Sequence, residues 1–325
     1  MKTIEVTEYG GPEVLQVVEK PRPAPGPGQV LIEVKAAGIN FADLMSREGT
    51  YPAGPKPPCV LGMEAAGIVA AVGAGVTTPA VGTRVTALVQ GGYAEYALAE
   101  AAQAVPLPEA VDFAAATALL VQGLTAYFLL KRAGEVKPGQ SVLVNAAAGG
   151  VGSLAVQIAK IFGAGRVLGT ASTEEKRAWV RQLGADETID YTQDGWADAV
   201  KAATDGRGVD LFLDATGDTS GGGLKPLAPG GTWVVYGSQQ GAPGGLTGGE
   251  LMGIIGQSQT IRGFTLYSVI PDTQAIATAL HDLLTWTTEG RLQVQTSDRF
   301  PLAQAAKAHI AIAERRTTGK VVLEP

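Results

Sequence analysis

Cysteine and histidine are almost absent from this chain. Its 325 residues include one cysteine, Cys59, and two histidines, His281 and His309. A single cysteine excludes an intrachain disulfide and a four-cysteine metal lobe. It fits a reducing compartment, and a cytoplasmic location is the expectation. Cys59, in PPCVLG, reads as a small buried hydrophobe. The two histidines fall on helical segments outside every motif and read as structural. Charge is also sparse. Asp, Glu, Lys and Arg make up 17%, and 25 basic against 31 acidic residues leave 25 − 31 = −6. That balance offers no electrostatic footprint for nucleic acid. No uninterrupted apolar run reaches about 18 residues, so no membrane span is expected. The opening MKTIEVTEYGG lacks the apolar stretch of a signal peptide. No internal repeat is visible at a period of about 20–50 residues.

What is abundant is apolar residues, at 46%, with 44 glycines and 19 prolines. Such a chain supports a folded core with many turns around short strands, and its length suits two domains. The first third reads as β-rich. VLIEVKAAGIN, EAAGIVAAVGAGV, GTRVTALV and GYAEYALA are strand segments broken by Gly, Pro and Thr. The proline-dense PRPAPGPGQ, Pro21 to Gln29, reads as a surface loop within that domain rather than a linker. A helical pattern covers Asp112 to Arg132. From Ser141 onward strands and helices alternate, the pattern of a doubly wound parallel sheet. RVLGT, ETIDY, GVDLFLDAT, GTWVVYGS and IRGFTLYS follow as its second to sixth strands. Two helices, around His281 and His309, and a terminal GKVVLEP strand should return to the first domain. The expected division is 1–123 with 268–325, and 124–267. Gly241 to Gly256 reads as a mobile glycine-rich loop.

The most informative stretch is SVLVNAAAGGVGSLAVQIAK, Ser141 to Lys160. An apolar run, Ser141 to Ala146, reads as a buried strand, the turn AAGGVG follows, and a helix-period segment starts at Ser153. Strand, glycine turn and helix in that order build a phosphate-binding corner, because backbone N–H groups and the helix dipole converge on the turn. Ala147 takes the first glycine place of the dinucleotide fingerprint, followed by Gly149 and Gly152. The expected pyrophosphate contacts are Ala148, Gly149, Gly150, Val151 and Gly152. The alternative is a tight turn that only packs helix on strand.

The residue at the tip of the second strand reads the adenosine ribose. Here GTAST, Gly169 to Thr173, offers no Asp or Glu. Ser172, with Lys176 and Arg177 one turn later, supplies a hydroxyl and a cation, which suit the 2′-phosphate of NADPH. Against this stand Glu174 and Glu175 nearby, and a plain role for Ser172 as helix cap with Glu175 completing the capping box. Tyr191, closing the third strand, is placed to stack on adenine or merely to pack. Ligands bind beyond the carboxyl ends of such strands. Ala215, within Asp214 to Gly217, and Tyr236, Gly237 and Ser238, within Tyr236 to Gln239, are therefore expected at the cofactor.

YGGPEVLQ, AAGINFADLMSREGTYP at Ala36 to Pro52, LGMEAAGIV, AAAGGVG and the terminal TTGKVVL together resemble the medium-chain dehydrogenase/reductase superfamily. The likeness runs over essentially the whole chain and is strongest to the zinc-free quinone oxidoreductase branch, the zeta-crystallin type. It implies a Rossmann doubly wound α/β domain beside a GroES-like β-rich catalytic domain. It also implies that Asn40, Asp43 and Thr125 lie toward the nicotinamide end of the cofactor. Phe264 and Gly319 complete the expected cofactor contacts.

In zinc-dependent members the positions of Asn40, Met63 and Val121 hold Cys, His and Cys. Asn, Met and Val cannot form that ligand shell, so no zinc is expected. Without a Lewis acid the acceptor must itself be electrophilic, as quinones and α,β-unsaturated carbonyls are. In related enoyl thioester reductases the tyrosine matching Tyr51 is a proposed proton donor; the other reading packs it against Pro52. Three functions remain open: an NADPH-dependent quinone reductase, an enone or enoyl reductase using Tyr51, and a non-catalytic NADPH-binding protein. Strand pairing around Ile261 to Tyr267 across a two-fold axis would make a homodimer, as family members commonly do.

Overall fold

A computed structural model describes residues 1–217, 222–237, 245–296 and 298–325. The chain divides into two compact units. The first is Met1–Gln122, Leu283–Glu289 and Val294–Pro325; the second is Gly123–Asp282 and Gly290–Gln293. The return to the first unit thus starts at Leu283. Residues 268–282, expected in the first domain, pack with the second.

The first unit is β-rich. One sheet runs in the order Asp298–Pro301, Val321–Glu324, Gln29–Ile39, Glu64–Val72, Arg84–Leu88 and Val105–Pro106, with Tyr96–Glu100 also paired to Gln29–Ile39. A three-stranded sheet of Leu15–Glu19, Lys2–Val6 and Cys59–Val60 joins it. Val30, Ile32, Val34, Ala65, Val69, Val85 and Leu323 form its core. Two strand registers bring residues distant in sequence together. Val321 lies opposite Ile39 and Leu323 opposite Ala37, while Ala37 also pairs with Ala65. Side chains from Asn40, Glu64 and Lys320, each next to one of these pairs, are thereby delivered to one place.

The second unit is a six-stranded, wholly parallel sheet. Its order is Glu187–Ile189, Arg166–Thr170, Ser141–Val144, Val209–Asp214, Leu227–Val235 and Thr260–Gly263. Numbered along the chain this is 3-2-1-4-5-6, the doubly wound arrangement expected from the alternating pattern, and the order reverses between Ser141–Val144 and Val209–Asp214. Leu143, Leu168, Val209, Phe212 and Trp233 fill the core on one face. Phe212 and Trp233 stack with rings 10° from parallel.

Several local readings need correction. The first parallel strand ends at Val144, because the turn starts at once: Ala146 adopts φ 50°. The third strand ends at Ile189, so Tyr191 stands beyond it in a turn. Of the segment read as a mobile loop, residues 241–244 lie outside the described residues. Gly248–Gln257 is instead a helix capped by Thr247, whose hydroxyl accepts from Glu250 N–H while the Glu250 carboxylate accepts from Thr247 N–H. That reciprocal cap satisfies N–H groups at the helix start and marks where the helix begins, despite its glycines. Finally, the helix Phe113–Ala133 is long and apolar enough to cross a membrane by length and composition, with mean hydropathy 1.7, although a single uninterrupted run is lacking. Of its apolar 18-residue stretch 78% is buried inside the fold, as in a core helix.

Candidate functional site

The glycine corner of the second unit forms as its sequence implies. After Val144 the chain turns, with Ala147 N–H donating to Thr170 O at 2.9 Å and Gly149 N–H to Ala146 O at 2.9 Å. Gly149 is the N-cap of the helix Gly150–Ile161. A Cβ at Gly152 would lie 2.3 Å from Ala146 O and 2.7 Å from Ala147 Cα, so only glycine lets the helix sit this close to the turn. Ala147 fills the first glycine place because its methyl faces Gly169, where another Cβ would come within 2.9 Å. The first-turn N–H groups of Gly150, Val151 and Gly152 have no carbonyl one turn earlier in the helix. Together with the helix dipole they suit a pyrophosphate. The residues present therefore fit a dinucleotide.

Asn145, just before this turn, was not anticipated. Its Oδ1 accepts from Thr170 Oγ1 at 2.7 Å and from Ala146 N–H at 2.8 Å. Its Nδ2 donates to Asp214 Oδ1 at 3.0 Å and Thr216 Oγ1 at 3.2 Å. Buried Asp214 also accepts from Trp233 Nε1 at 3.1 Å and from Thr216 N–H at 2.8 Å. One amide thus ties the ends of the first, second and fourth strands together at the point where the sheet order reverses. The signal was an asparagine at the end of an otherwise apolar strand.

At the second strand tip the cap is Thr173, not Ser172. Its hydroxyl accepts from Lys176 N–H at 3.3 Å, and the helix starts at Glu174. Ser172 is therefore not spent on capping. Arg177 is committed elsewhere: it donates to Glu174 at 3.1 Å, Asp190 at 3.0 Å and Ala171 O at 3.2 Å. Glu174 pairs with Arg181 and Arg177, which hold its carboxyl below the usual range, Arg181 most. Glu175 is lowered by its own backbone N–H and by Thr173.

A cleft of about 110 Å³ is lined by Asn145, Tyr191, Trp196, Phe212, Asp214, Thr216, Gly222 and Gly223. Tyr191 therefore shares a cavity with the sheet's reversal point. Ala215 and Gly237 sit where the fourth and fifth strands end in close approach; a Cβ on Gly237 would lie 2.1 Å from Ala215 O. Tyr236 N–H donates to Asp214 O at 3.0 Å, and its phenol is pushed up by burial and then by Asp214. Phe264 N–H donates to Val235 O at 2.9 Å. Thr125 is buried. Ser238 lies outside the described residues.

In the first unit Asn40 is the N-cap of the helix Phe41–Glu48. Its backbone does the capping: Asn40 N–H donates to Asp43 Oδ2 at 2.8 Å and Asp43 N–H to Asn40 O at 2.9 Å. The side-chain amide is free to turn inward, where Nδ2 donates to Glu64 Oε1 at 2.8 Å. Lys320 Nζ is paired with the same carboxylate and donates to Asn40 Oδ1 at 3.1 Å and Ile39 O at 3.0 Å. Both charged side chains are completely buried. Glu64 Oε2 accepts from Val121 N–H at 2.9 Å. A buried lysine–glutamate pair thus lies beside Asn40 and Val121, two positions that the sequence resemblance aligns with metal ligands of zinc-dependent members. Among the described residues no three His, Cys, Asp or Glu side chains are grouped to hold a metal ion.

Asp43 continues a second buried chain through Tyr93, His309 and Arg47. Desolvation, opposed by the Asn40 N–H, raises its carboxyl to about 7. Tyr51 lies past the other end of the helix, about 12 Å along its axis from Asn40, half-buried, with Tyr51 N–H donating to Met45 O at 3.3 Å. Gly319, at φ 63°, sets up Lys320; a Cβ there would lie 2.5 Å from Gln295 O. Glu64, Gln122 and Lys320 were not singled out from sequence, although Glu64 and Lys320 lie inside the motifs LGMEAAGIV and TTGKVVL.

Residues 26–109 match the family described as "Alcohol dehydrogenase GroES-like domain", and residues 150–285 match "Zinc-binding dehydrogenase". The chain is 40% identical to a quinone oxidoreductase of Pseudomonas aeruginosa, covering 100% of this chain and 99% of that protein. It is 36% identical to a 2-haloacrylate reductase of a Burkholderia species, covering 98% of each. A solved structure of Escherichia coli quinone oxidoreductase complexed with NADPH superposes with TM-score 0.93 at 35% identity, covering 100% of both chains.

Proposed function

The chain belongs to the quinone oxidoreductase branch of the medium-chain dehydrogenase/reductase superfamily, and from that premise we propose that it is an NADPH-dependent, metal-independent oxidoreductase that reduces quinones. The observation that carries the reading is the corner at Gly149–Gly152, where a helix start and a glycine-only approach leave three N–H groups for a phosphate. Bound NADPH supplies the hydride. The chain's own residues hold and orient it. Gly150, Val151 and Gly152 N–H groups bind pyrophosphate, with Ala148 and Gly149 shaping the turn. Ser172 and Lys176 meet the 2′-phosphate, Tyr191 packs on the adenine, and Ala215, Tyr236, Gly237 and Phe264 line the cofactor. Asn40, Asp43, Thr125 and Gly319 serve the nicotinamide half, as the family resemblance implies.

Metal independence is supported by the donor set. Asn40, Met63 and Val121 offer no thiolate or imidazole, and Lys320 brings a fixed positive charge to the carboxylate beside them. A quinone suits this arrangement because it accepts hydride without a Lewis acid. Purified protein should oxidise NADPH when given 1,4-benzoquinone or 9,10-phenanthrenequinone. Binding of NADPH with no turnover on any electrophile would replace the enzyme by a non-catalytic binding protein.

The relation to a 2-haloacrylate reductase favours a second reading, reduction of an activated alkene with Tyr51 as proton donor. Turnover confined to enones or enoyl thioesters, and lost in Tyr51→Phe, would decide for it. The proposed assembly is a homodimer through the edge strand Thr260–Gly263. That strand is exposed along its length, and Leu251, Met252 and Ile255 are exposed on the nearby helix Gly248–Gln257.

A further inference from the structure

The hydrogen bonds around Asn40 have only one consistent direction. Lys320 can only donate, so the Asn40 atom at 3.1 Å from its ammonium is the carbonyl Oδ1. Ionised Glu64 can only accept, so the atom 2.8 Å from its Oε1 is Nδ2. The charged pair thus fixes which way the Asn40 amide faces. That choice propagates. Gln122 reaches Asn40 Oδ1 at 3.1 Å, so it presents its own Nε2 there. Two capacities are then left over. The second Nδ2 hydrogen of Asn40 has no partner among the described residues, and Gln122 Oε1 is a buried acceptor with none. Gln122 is itself more than nine-tenths buried, and an orphaned buried acceptor is rare in a native fold. The backbone has been kept clear for the pair. A Cβ at Gly38 would lie 2.3 Å from Glu64 Oε1 and 2.6 Å from Lys320 Cε.

We propose that Lys320, with Glu64, is a positioning residue that sets the hydrogen-bonding polarity of the Asn40–Gln122 amide pair, leaving one donor and one acceptor for a ligand group that both accepts and donates, such as a hydroxyl. The group belongs either to the cofactor, as a ribose hydroxyl, or to the reduced acceptor, as the hydroxyl of a hydroquinone. Asn40 Nδ2–H donates to that oxygen, and the hydroxyl in turn donates a hydrogen bond to Gln122 Oε1. The assignment rests on the reading of this chain as an NADPH-dependent quinone reductase.

The sequence makes the test direct, since Asn40 and Asn145 are its only asparagines. Protein labelled with ¹⁵N at asparagine gives two side-chain amide pairs, one in each network. In the free protein, one Asn40 hydrogen should exchange slowly because Glu64 holds it, and the other faster. Lys320→Met removes the ammonium that anchors Oδ1 and lets the amide turn over, so the two exchange rates should converge; an unchanged Asn40 pair would overturn the positioning role. NADPH alone shifting the faster hydrogen assigns the hydroxyl to the cofactor, whereas a shift only with 1,4-hydroquinone assigns it to the acceptor. No shift with either overturns the ligand assignment. Asn145 separates this from the functional reading. If Asn145 moves with NADPH while Asn40 does not respond to either probe, the inference fails and the function stands. If Asn145 is silent, the cofactor reading fails. Should Lys320→Met not fold, Gln122→Met decides. It should keep the slow hydrogen on Glu64 and raise the Kd of the responding probe roughly fivefold, the worth of one hydrogen bond. Unchanged affinity overturns the proposal.

Discussion

His309 Nε2 lies 3.1 Å from the hydroxyl of Tyr93, 216 residues earlier in the chain, and both side chains are completely buried. Arg47 Nη1 is 3.3 Å from the other ring nitrogen, Nδ1. A guanidinium has no acceptor, so Nδ1 carries no hydrogen and Nε2–H donates to Tyr93. Tyr93 O–H is then left to donate to Asp43, with which it shares a hydrogen bond. The chain of donors runs one way, from Arg47 to Asp43, and holds His309 neutral. Desolvation first, and the Arg47 charge second, lower the imidazole to about 3.

These two buried groups pull stability in opposite directions with pH. His309 is lowered from 6.5 to about 3, so the unfolded chain binds the extra proton and stability falls as pH drops through that window. Asp43 is raised from 3.8 to about 7, so the native state binds the extra proton and stability rises as pH drops from 7 toward 4. The terms oppose each other between pH 4 and 6.5. Asp43→Asn removes one of them. Urea unfolding should show the variant losing stability on acidification more steeply than the wild type, by about 1.4 kcal/mol per pH unit in that window. Parallel pH profiles would refute the raised Asp43.

Lys176→Ala should weaken NADPH by about tenfold, some 1.4 kcal/mol, and leave NADH nearly unchanged, because only NADPH carries the 2′-phosphate. Fluorescence titration with both cofactors measures it. Equal losses would remove Lys176 from the phosphate site.

Metal analysis of the purified protein should find no stoichiometric zinc, and chelator treatment should leave quinone reduction unchanged. One zinc per chain would overturn the assignment at Asn40, Met63 and Val121.

Sedimentation should show a dimer for the wild type and a monomer for Ile261→Lys. Ile261 is exposed on the edge strand, where a charge opposes edge-to-edge pairing. A monomeric wild type would exclude the proposed pairing.

Much of the fold was legible because its signals are local. Apolar runs bounded by glycine gave the strands of the parallel sheet, and AAGGVG gave the corner between the first strand and its helix. Errors fell where neighbouring residues compete for one role. Ser172 and Thr173 are both good caps, and Thr173 won because its φ and ψ are extended and its hydroxyl reaches Lys176 N–H. Glycines in the segment Gly241 to Gly256 argued against a helix, but the Thr247–Glu250 capping box starts one at Gly248.

By itself the sequence determined the alternation of strands and helices, the glycine-only approach at Gly152 and the absence of thiolate and imidazole at Asn40, Met63 and Val121. Each depends on residue identity and short spacing. Only the tertiary structure decided what surrounds Asn40. Glu64 and Lys320 are 256 residues apart and meet because strand registers place Val321 beside Ile39 and Ala65 beside Ala37. No local periodicity encodes such a register. It is fixed by which faces of distant strands bury together, and with it come the buried ion pair, the direction of the Asn40 amide and the unpaired acceptor on Gln122.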